Sequence, residues 1–293
     1  MASLRSRIAP SGSNEELVRR AQGMFARALP CYLREGAWHP VGIASFLALF
    51  LGLLVTRKRA FEAAQSHDTV EMRRARVLPS GILRAVRTLG AMWGTGLLAV
   101  VLRAEGIWPL ASYTVQSWTL MTARYVLGIV VPDGDKVQGS PRWRRGALHV
   151  SEALRMPSLA QNSVTVVIWW LVLVPIVLAG VGGNATQRNE FMKLNASPIL
   201  INLHALNLPL AVADHLLSPR RLVFRDLWFS IASATAYLSF YYYVLDRNGL
   251  HLYIILSPRT KWCVVTAAGI LSGYVGLYYL WDRAALKVME LAR

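Results

Sequence analysis

Two side chains within apolar stretches of the sequence, Thr122 and His204, are of types that together carry out nucleophilic chemistry. His204 lies in SPILINLHALNLPLAVAD (197–214) and Thr122 in YTVQSWTLMTARY (113–125). A hydroxyl beside an imidazole is the minimum for an activated oxygen nucleophile, because the imidazole accepts the proton that the attacking oxygen loses. Asn207, about one helical turn after His204, is placed to orient the imidazole or to stabilise an oxyanion.

Each of these side chains also has an interpretation without catalysis. A helical threonine usually bonds back to the carbonyl four residues earlier, which would occupy Thr122. His204 can be a neutral imidazole that bonds to a neighbouring helix. Arg124, a second ionisable residue in an apolar stretch, either snorkels to the interface or pairs within a helix bundle. The residue types alone do not distinguish these alternatives. The positions of the side chains in the fold do, and they depend on the secondary-structure elements.

Those elements are long apolar segments. Hydrophobic residues make up 54% of the 293 residues and charged residues only 16%, whereas a soluble domain carries about 25% charged residues. The apolar residues form blocks long enough to cross a hydrocarbon core of about 30 Å. The seven predicted segments are 38–56, 82–102, 114–131, 162–181, 199–213, 228–245 and 262–281. Because they show no period-two alternation, they predict an all-α polytopic integral membrane protein and not a barrel.

The net charge of +16 does not indicate a nucleic-acid partner, because the basic residues form no single patch. Lys and Arg are concentrated in alternate connections between the apolar segments, as the positive-inside rule describes. This distribution predicts that the connections at 57–81, 132–161 and 214–227 and the C-terminus face the cytosol or matrix. The expected partners are membrane lipids and not nucleic acid. Cys31 and Cys263 form no CxxC or metal-ligand spacing, so no disulfide framework is expected.

The spacing of several motifs is similar to that of a known family. The similar elements are SWTLMT at 117–122, His204 five residues before Pro209, Asp214 five residues after that proline, and a G-x-x-x-Y element at Gly249–Tyr253. In these features residues 82–285 resemble the androgen-induced and androgen-dependent TFPI-regulating protein family of six-span intramembrane threonine hydrolases. The last two apolar segments also match that family in length and spacing.

The resemblance implies a chemistry and a division of the chain. Thr122 attacks the carbonyl of a lipid ester while His204 accepts its proton, and water hydrolyses the resulting acyl-threonine. The implied activity is that of a threonine-dependent carboxylic ester hydrolase acting on fatty-acid esters of hydroxy fatty acids, with no cofactor and no metal. The implied regions are a basic amphipathic N-terminal tail at 1–37, an additional transmembrane helix with a basic loop at 38–81, and a six-helix membrane domain at 82–293.

The sequence also departs from the family pattern beside the predicted nucleophile. The family has Asp or Asn three residues after the threonine, where this chain has Tyr125, and Arg124 stands where an apolar residue is expected. These departures favour an alternative, a non-catalytic accessory subunit of a mitochondrial inner-membrane complex, respiratory or ATP synthase, that contacts lipid and neighbouring subunits. Arg5 and Arg7 in an acid-free beginning resemble a mitochondrial presequence, so the mitochondrial inner membrane is favoured over the endoplasmic reticulum. A transporter is a third option, with no evident repeat to support it.

Overall fold

The computed structural model describes residues 36–67, 79–131, 139–181, 185–248, 250, 253 and 256–292. The α-helices are α1 (Pro40–His67), α2 (Ser80–Glu105), α3 (Tyr113–Val130), α4 (Arg142–Ala153), α5 (Arg155–Ile168), α6 (Val174–Val181), α7 (Ala185–Asn195), α8 (Pro198–Ile201), α9 (Asn207–Leu217), α10 (Phe224–Phe240) and α11 (Trp262–Leu291). Three π-helical segments continue them: π1 (Trp169–Leu173), π2 (Asn202–Leu206) and π3 (Tyr241–Leu245). Short 3₁₀ turns lie at Trp108–Ala111 and Asp246–Asn248. No strand occurs in these ranges, which confirms the predicted all-α class.

Five helical stretches are long and apolar enough to cross a membrane: Pro40–Glu62, Gly81–Glu105, Arg142–Ala179, Pro198–Leu217 and Trp262–Leu291. Large apolar side chains stand exposed along them, among them Leu51 at 57% and Val55 at 79% exposed on α1. Contiguous apolar surface of this kind is stable only against lipid or another protein. The five long apolar stretches therefore identify an integral membrane protein. The predicted tail at 1–37 lies almost wholly outside the described residues.

The connections contain more helix than the charge pattern predicted. The stretch at 132–161 was expected to be a basic loop, but Arg142–Ala153 and the first half of α5 are helical. The reason is that α4 is amphipathic: its basic first turn is exposed, while Leu148 and Glu152 are buried against the bundle. Helix α7 likewise occupies much of the connection at 182–198.

Helix α5 lies at the centre of the bundle and packs against α3, α9, α10 and α11. Ten of its fourteen residues are buried, although many of them are polar. Some of these side chains bond to neighbouring helices: Asn162 Nδ2 donates to the Ser117 carbonyl at 3.2 Å, and Gln161 Nε2 donates to Ser233 Oγ at 3.0 Å. Interhelical hydrogen bonds of small polar side chains stabilise helix contacts where lipid offers no competing partner.

Helices α2 and α3 approach closely because glycines of α2 face large side chains of α3. A Cβ added to Gly94 would lie 2.3 Å from Thr122 Oγ1, and one added to Gly90 would lie 2.5 Å from Tyr125 Cε1. Glycine at such positions lets two helix backbones come together. The Trp118 indole uses this proximity and donates to the Gly94 carbonyl at 3.1 Å. The α2–α3 interface is thus packed without space for a ligand at Thr122.

Candidate functional site

The residues of interest lie on two helical stretches that run parallel, α3 and the continuous stretch of α8, π2 and α9. Near their beginnings, Thr114 Oγ1 lies 3.5 Å from His204 Nε2. Further along, Arg124 forms an ion pair with Asp214. Both contacts join residues 90 positions apart in the sequence, so the two stretches keep the same register over ten residues, about 15 Å of helix.

The hydrogen bonds of His204 decide which ring nitrogen is basic. Its Nδ1 lies 3.2 Å from the Leu200 carbonyl oxygen, and a carbonyl can only accept a hydrogen bond. Nδ1 therefore carries the proton in the neutral ring, and Nε2 holds the lone pair. That lone pair points to the Thr114 hydroxyl. A separation of 3.5 Å is at the long end for a hydrogen bond, as is common in catalytic sites without substrate.

Thr114 is free to donate because of its position in α3. It is the second residue of the helix, after the N-cap Ser112, so the residue four positions earlier lies before the helix begins. Thr119 and Thr122, further along, donate to the carbonyls four residues before them at 2.8 and 2.9 Å. The local geometry that occupies those hydroxyls does not exist at the first turn.

Three tryptophans hold the π2 segment that carries His204. The Trp169 ring stacks on the imidazole with a centroid distance of 3.7 Å and an interplanar angle of 17°. Trp170 Nε1 donates to the His204 carbonyl at 2.6 Å, and Trp93 Nε1 donates to Asn202 Oδ1 at 2.9 Å. Trp169 itself is oriented by Asn195, whose Oδ1 accepts from its indole at 2.9 Å. The imidazole is thus fixed in its plane and along its helix.

An apolar cavity of about 400 Å³ opens beside this pair, and both Thr114 and His204 line it. Each of the three π segments also contributes to its wall: Trp169 from π1, His204 from π2 and Tyr242 from π3. A π turn widens the helix and displaces side chains from the α-helical positions, and such turns are frequent at functional sites. Most other lining residues are aliphatic or aromatic, and none of those described carries a formal charge.

The structure places the predicted residue Thr122 elsewhere. Its hydroxyl donates to the Trp118 carbonyl, its side chain contacts Gly94, and it is 4% exposed. It does not line the cavity, and no hydrogen bond joins it to His204. Thr114, which the sequence interpretation did not single out, is the threonine that the fold brings to His204. Thr122 lies eight residues, about 12 Å, further along α3.

Asn207 also lies away from the lining of the cavity. It is fully buried, its Oδ1 accepts from the Leu208 amide at 2.9 Å, and its Nδ2 has no partner. Cys263 is buried and lines the cavity as a free thiol. Within the described ranges no group of three His, Cys, Asp or Glu side chains is arranged to hold a metal ion.

Arg124, the second ionisable residue noted in an apolar stretch, belongs to a buried cluster of charges at the other end of α3. Arg87 and Arg124 both bind Asp214, with Arg87 Nε at 3.1 Å from Oδ1. Arg124 Nη1 also donates to the Ser151 carbonyl at 2.6 Å. This answers the alternatives left by the sequence: Arg124 pairs within the bundle and does not snorkel.

The cluster continues through a second set of arginines. Arg155 forms a two-bond contact with Glu152 at 3.0 Å each, and Arg220 bridges Glu152 at 2.5 Å and Asp226 at 2.8 Å. Burial alone would lower the pKa of Arg220, but the carboxylates of Asp226 and Glu152 outweigh it and raise that pKa. Arg220 therefore stays charged, and the cluster is a structural unit of paired ions.

No family model, no curated protein and no solved structure matches this chain.

Proposed function

We propose that this protein is a membrane-embedded hydrolase of lipid carboxylic esters, with Thr114 as the nucleophile and His204 as the general base. One observation carries the proposal: the Leu200 carbonyl holds His204 in the tautomer whose basic Nε2 faces the Thr114 hydroxyl at the wall of an apolar cavity. A nucleophile beside a base that a third group orients is the arrangement shared by serine, cysteine and threonine hydrolases.

The cavity favours a lipid as the substrate. Most of the side chains that line it are aliphatic or aromatic, which suits an acyl chain, and Thr114 and His204 are among its few polar groups. Ester hydrolysis by Thr114 and His204 would proceed through an acyl-threonine, and the same imidazole would then activate water. This chemistry needs only side chains that the chain itself supplies.

The residue three positions after the nucleophile differs between the two assignments, Thr122 and Thr114. The resemblance expects a polar residue, Asp or Asn, three positions after the threonine. Counted from Thr122 that position is Tyr125, whereas counted from Thr114 it is Ser117. Ser117 is fully buried, and its hydroxyl contacts Thr165 Oγ1 at 3.3 Å. Ser117 is polar but is neither Asp nor Asn, and Thr114 lies outside the SWTLMT motif that carries the resemblance. The choice of Thr114 therefore rests on its contact with His204, and the resemblance supports only the class of activity.

The proposal includes the seven-segment arrangement in which a six-helix domain at 82–293 follows one additional helix at 38–81. Two segments beyond the five apolar ones would then cross the membrane. Helix α10 and π3 run without interruption from 224 to 245, more than 30 Å of helix. Helix α3 has 18 residues, eight of them buried by neighbouring helices, so protein and not lipid surrounds much of it. Placement in the mitochondrial inner membrane also belongs to the proposal and rests on the Arg-rich beginning of the chain.

The test is labelling with a fluorophosphonate probe, which reacts with activated hydroxyl nucleophiles. We compare the parent protein, purified in detergent, with Thr114→Val and Thr122→Val, two substitutions of equal size and chemistry. Thr114→Val should lose labelling, because its hydroxyl faces His204. Thr122→Val should label like the parent, because its hydroxyl is bonded to Trp118. His204→Asn should also lose labelling.

Labelling that survives Thr114→Val, or that disappears only in Thr122→Val, would overturn the assignment of Thr114. A folded parent that is not labelled and that co-purifies with stoichiometric membrane subunits would support the alternative function, an accessory subunit of a larger membrane complex.

A further inference from the structure

A third polar group converges on Thr114, the phenol of Tyr253. Tyr253 lies between the 3₁₀ turn at Asp246–Asn248 and α11, and it lines the cavity together with Thr114 and His204. The Tyr113 amide donates to its hydroxyl oxygen at 3.1 Å. The same hydroxyl has the side chains of Thr114 and Tyr237 as hydrogen-bonding neighbours. The phenol is therefore directly beside the proposed nucleophile.

The hydrogen bonds of this phenol fix the role of its own proton. An amide N–H can only donate, so the Tyr253 oxygen accepts in its bond with Tyr113, and its O–H must point elsewhere. Two oxygens are within its reach: Thr114 Oγ1, and the hydroxyl of Tyr237, whose own O–H donates to the Ala111 carbonyl at 3.2 Å. When the Tyr253 O–H turns toward Thr114, the donors form a chain in which Tyr253 donates to Thr114 and Thr114 donates to His204 Nε2.

Tyr253 is held rigidly enough to keep this position. The Tyr241 hydroxyl and the Leu256 amide both donate to its carbonyl at 2.9 Å. The rings of Tyr237 and Tyr241 pack near its ring at centroid distances of 6.4 and 6.3 Å. The Tyr113 amide is the first of α3 and carries part of the positive end of the helix dipole. This makes the phenol a stronger donor to a developing negative charge.

We propose that Tyr253 is the catalytic oxyanion donor of this site, so that its phenol binds the ester carbonyl oxygen as that oxygen becomes negative. The inference rests on the proposed function. Asn207, the residue that the sequence suggested for this role, lies outside the lining of the cavity, with its carbonyl oxygen bonded to the Leu208 amide. Tyr253 lines the cavity, and its O–H can turn toward the attacking oxygen of Thr114.

The reaction balances with this assignment. Thr114 Oγ1 forms a bond to the carbonyl carbon while its proton passes to His204 Nε2, and the carbonyl π electrons move to oxygen. That oxyanion takes the hydrogen bond of Tyr253 without proton transfer. When the carbonyl reforms, the alkoxide leaves and takes the proton from Nε2. Water repeats the sequence: Nε2 accepts its proton, hydroxide attacks the acyl-threonine, and the acid leaves as Thr114 is reprotonated.

The experiment measures hydrolysis of p-nitrophenyl octanoate by the full-length protein in detergent micelles, with kcat and KM determined separately. Tyr253→Phe should lower kcat by about 10²-fold or more, as loss of one oxyanion donor does. KM should stay near that of the parent, because the phenol acts on the transition state and not on the bound ester. Tyr278→Phe is the matched control, since its hydroxyl donates to the Leu222 carbonyl away from the cavity.

Three outcomes separate this inference from the proposed function. If kcat of Tyr253→Phe stays close to the parent while Thr114→Val is inactive, the role of Tyr253 is overturned and the hydrolase stands. If Thr114→Val keeps full activity, the hydrolase itself fails. If Tyr253→Phe does not fold, 3-fluorotyrosine at position 253 keeps the shape and strengthens the donor. It should then raise kcat, and an unchanged kcat would refute the inference.

Discussion

Two histidines eleven residues apart, His204 and His215, show how the two ends of one helical stretch differ. His215 has both ring nitrogens engaged: Nε2 lies 3.1 Å from the Trp281 carbonyl, and Nδ1 lies 3.3 Å from the Arg155 guanidinium. Because a carbonyl only accepts and a guanidinium only donates, this ring is locked as a structural contact. His204 has one nitrogen locked in the same way, by Leu200, and leaves the other facing a hydroxyl and a cavity.

The surroundings of the two rings differ in the same sense. Around His215 lie four buried arginines and three buried carboxylates, whose donors and acceptors are nearly all matched. The members are Arg87, Arg124, Arg155, Arg220, Glu152, Asp214 and Asp226. The described lining around His204 has no charged side chain. Charge that develops during a reaction is therefore felt strongly there, because little else screens it. One end of the bundle thus consists of paired charges that stabilise the fold, whereas the other has the uncharged surroundings that the proposed chemistry needs.

The largest expected effect separates these roles. Asp214→Asn keeps the shape of the side chain but leaves Arg87 and Arg124 buried without their shared carboxylate. Removal of one partner from a buried ion pair costs about 3–5 kcal/mol. We therefore expect a large drop in the thermal unfolding temperature in detergent. Glu62→Gln is the control, because Glu62 is exposed and pairs with exposed Lys58, and it should change little.

If Asp214→Asn unfolds at the same temperature as the parent, the charge cluster around His215 does not stabilise the fold. A protein that remains stable but loses probe labelling would instead assign the cluster to the chemistry.

An intermediate effect is expected where α2 and α3 touch. Gly94→Ala places a Cβ 2.3 Å from Thr122 Oγ1, and overpacking of this kind costs about 1–3 kcal/mol. Gly96→Ala is the matched control on the same helix, since nothing lies within 4 Å of its added Cβ. Unfolding in detergent should show a loss for Gly94→Ala and none for Gly96→Ala.

The double variant Gly94→Ala with Thr122→Ala sharpens this test. It should recover part of the lost stability, because the nearest atoms of Thr122 are removed. No recovery would mean that Thr122 is not the residue that packs against Gly94.

The smallest effect is expected at the cavity end. Trp169→Leu removes the ring that stacks on His204 and the bond to Asn195. Such aromatic contacts contribute about 0.5–1.5 kcal/mol, which corresponds to a labelling rate lower by about 2- to 12-fold if the stack only orients the imidazole. Trp228→Leu is the control, because Trp228 bonds to the Leu53 carbonyl and packs on Phe61 away from the cavity. Equal labelling rates for the two variants would show that Trp169 does not orient His204.

The sequence predicts features that depend on one segment alone better than features that depend on how two helices are placed. Apolar segment length predicts helices well, and His204 was identified because an imidazole is rare in an apolar stretch. The partner of His204 depends on how far two helices are displaced along each other, and segment length does not contain that displacement. A signal was present in the charges, however. If Arg124 is paired with Asp214, the offset of 90 residues places Thr114, and not Thr122, opposite His204.

The central position of helix α5 could not be predicted from the sequence. Its buried face is rich in Ser, Gln, Asn and Thr, so an apolar pattern does not indicate a central helix, and the predicted segment began only at 162. The hydrogen bonds that make it central, such as Gln161 to Ser233, join residues far apart in the sequence. They exist only once the bundle is assembled.

The parallel register of α3 and α9 has a consequence for how this chain tolerates insertions and deletions. Thr114 to Arg124 and His204 to Asp214 each span ten residues, and each contact joins corresponding ends. Residues added between α3 and α4 or between α6 and α7 lengthen a connection without moving either contact, whereas α5 and π1 pack on the bundle and on His204. A single residue added inside either ten-residue interval turns one end by about 100° relative to the other, so that only the ion pair or only the threonine–histidine contact can form. Variation in length is therefore expected in those two connections and not within the ten-residue intervals.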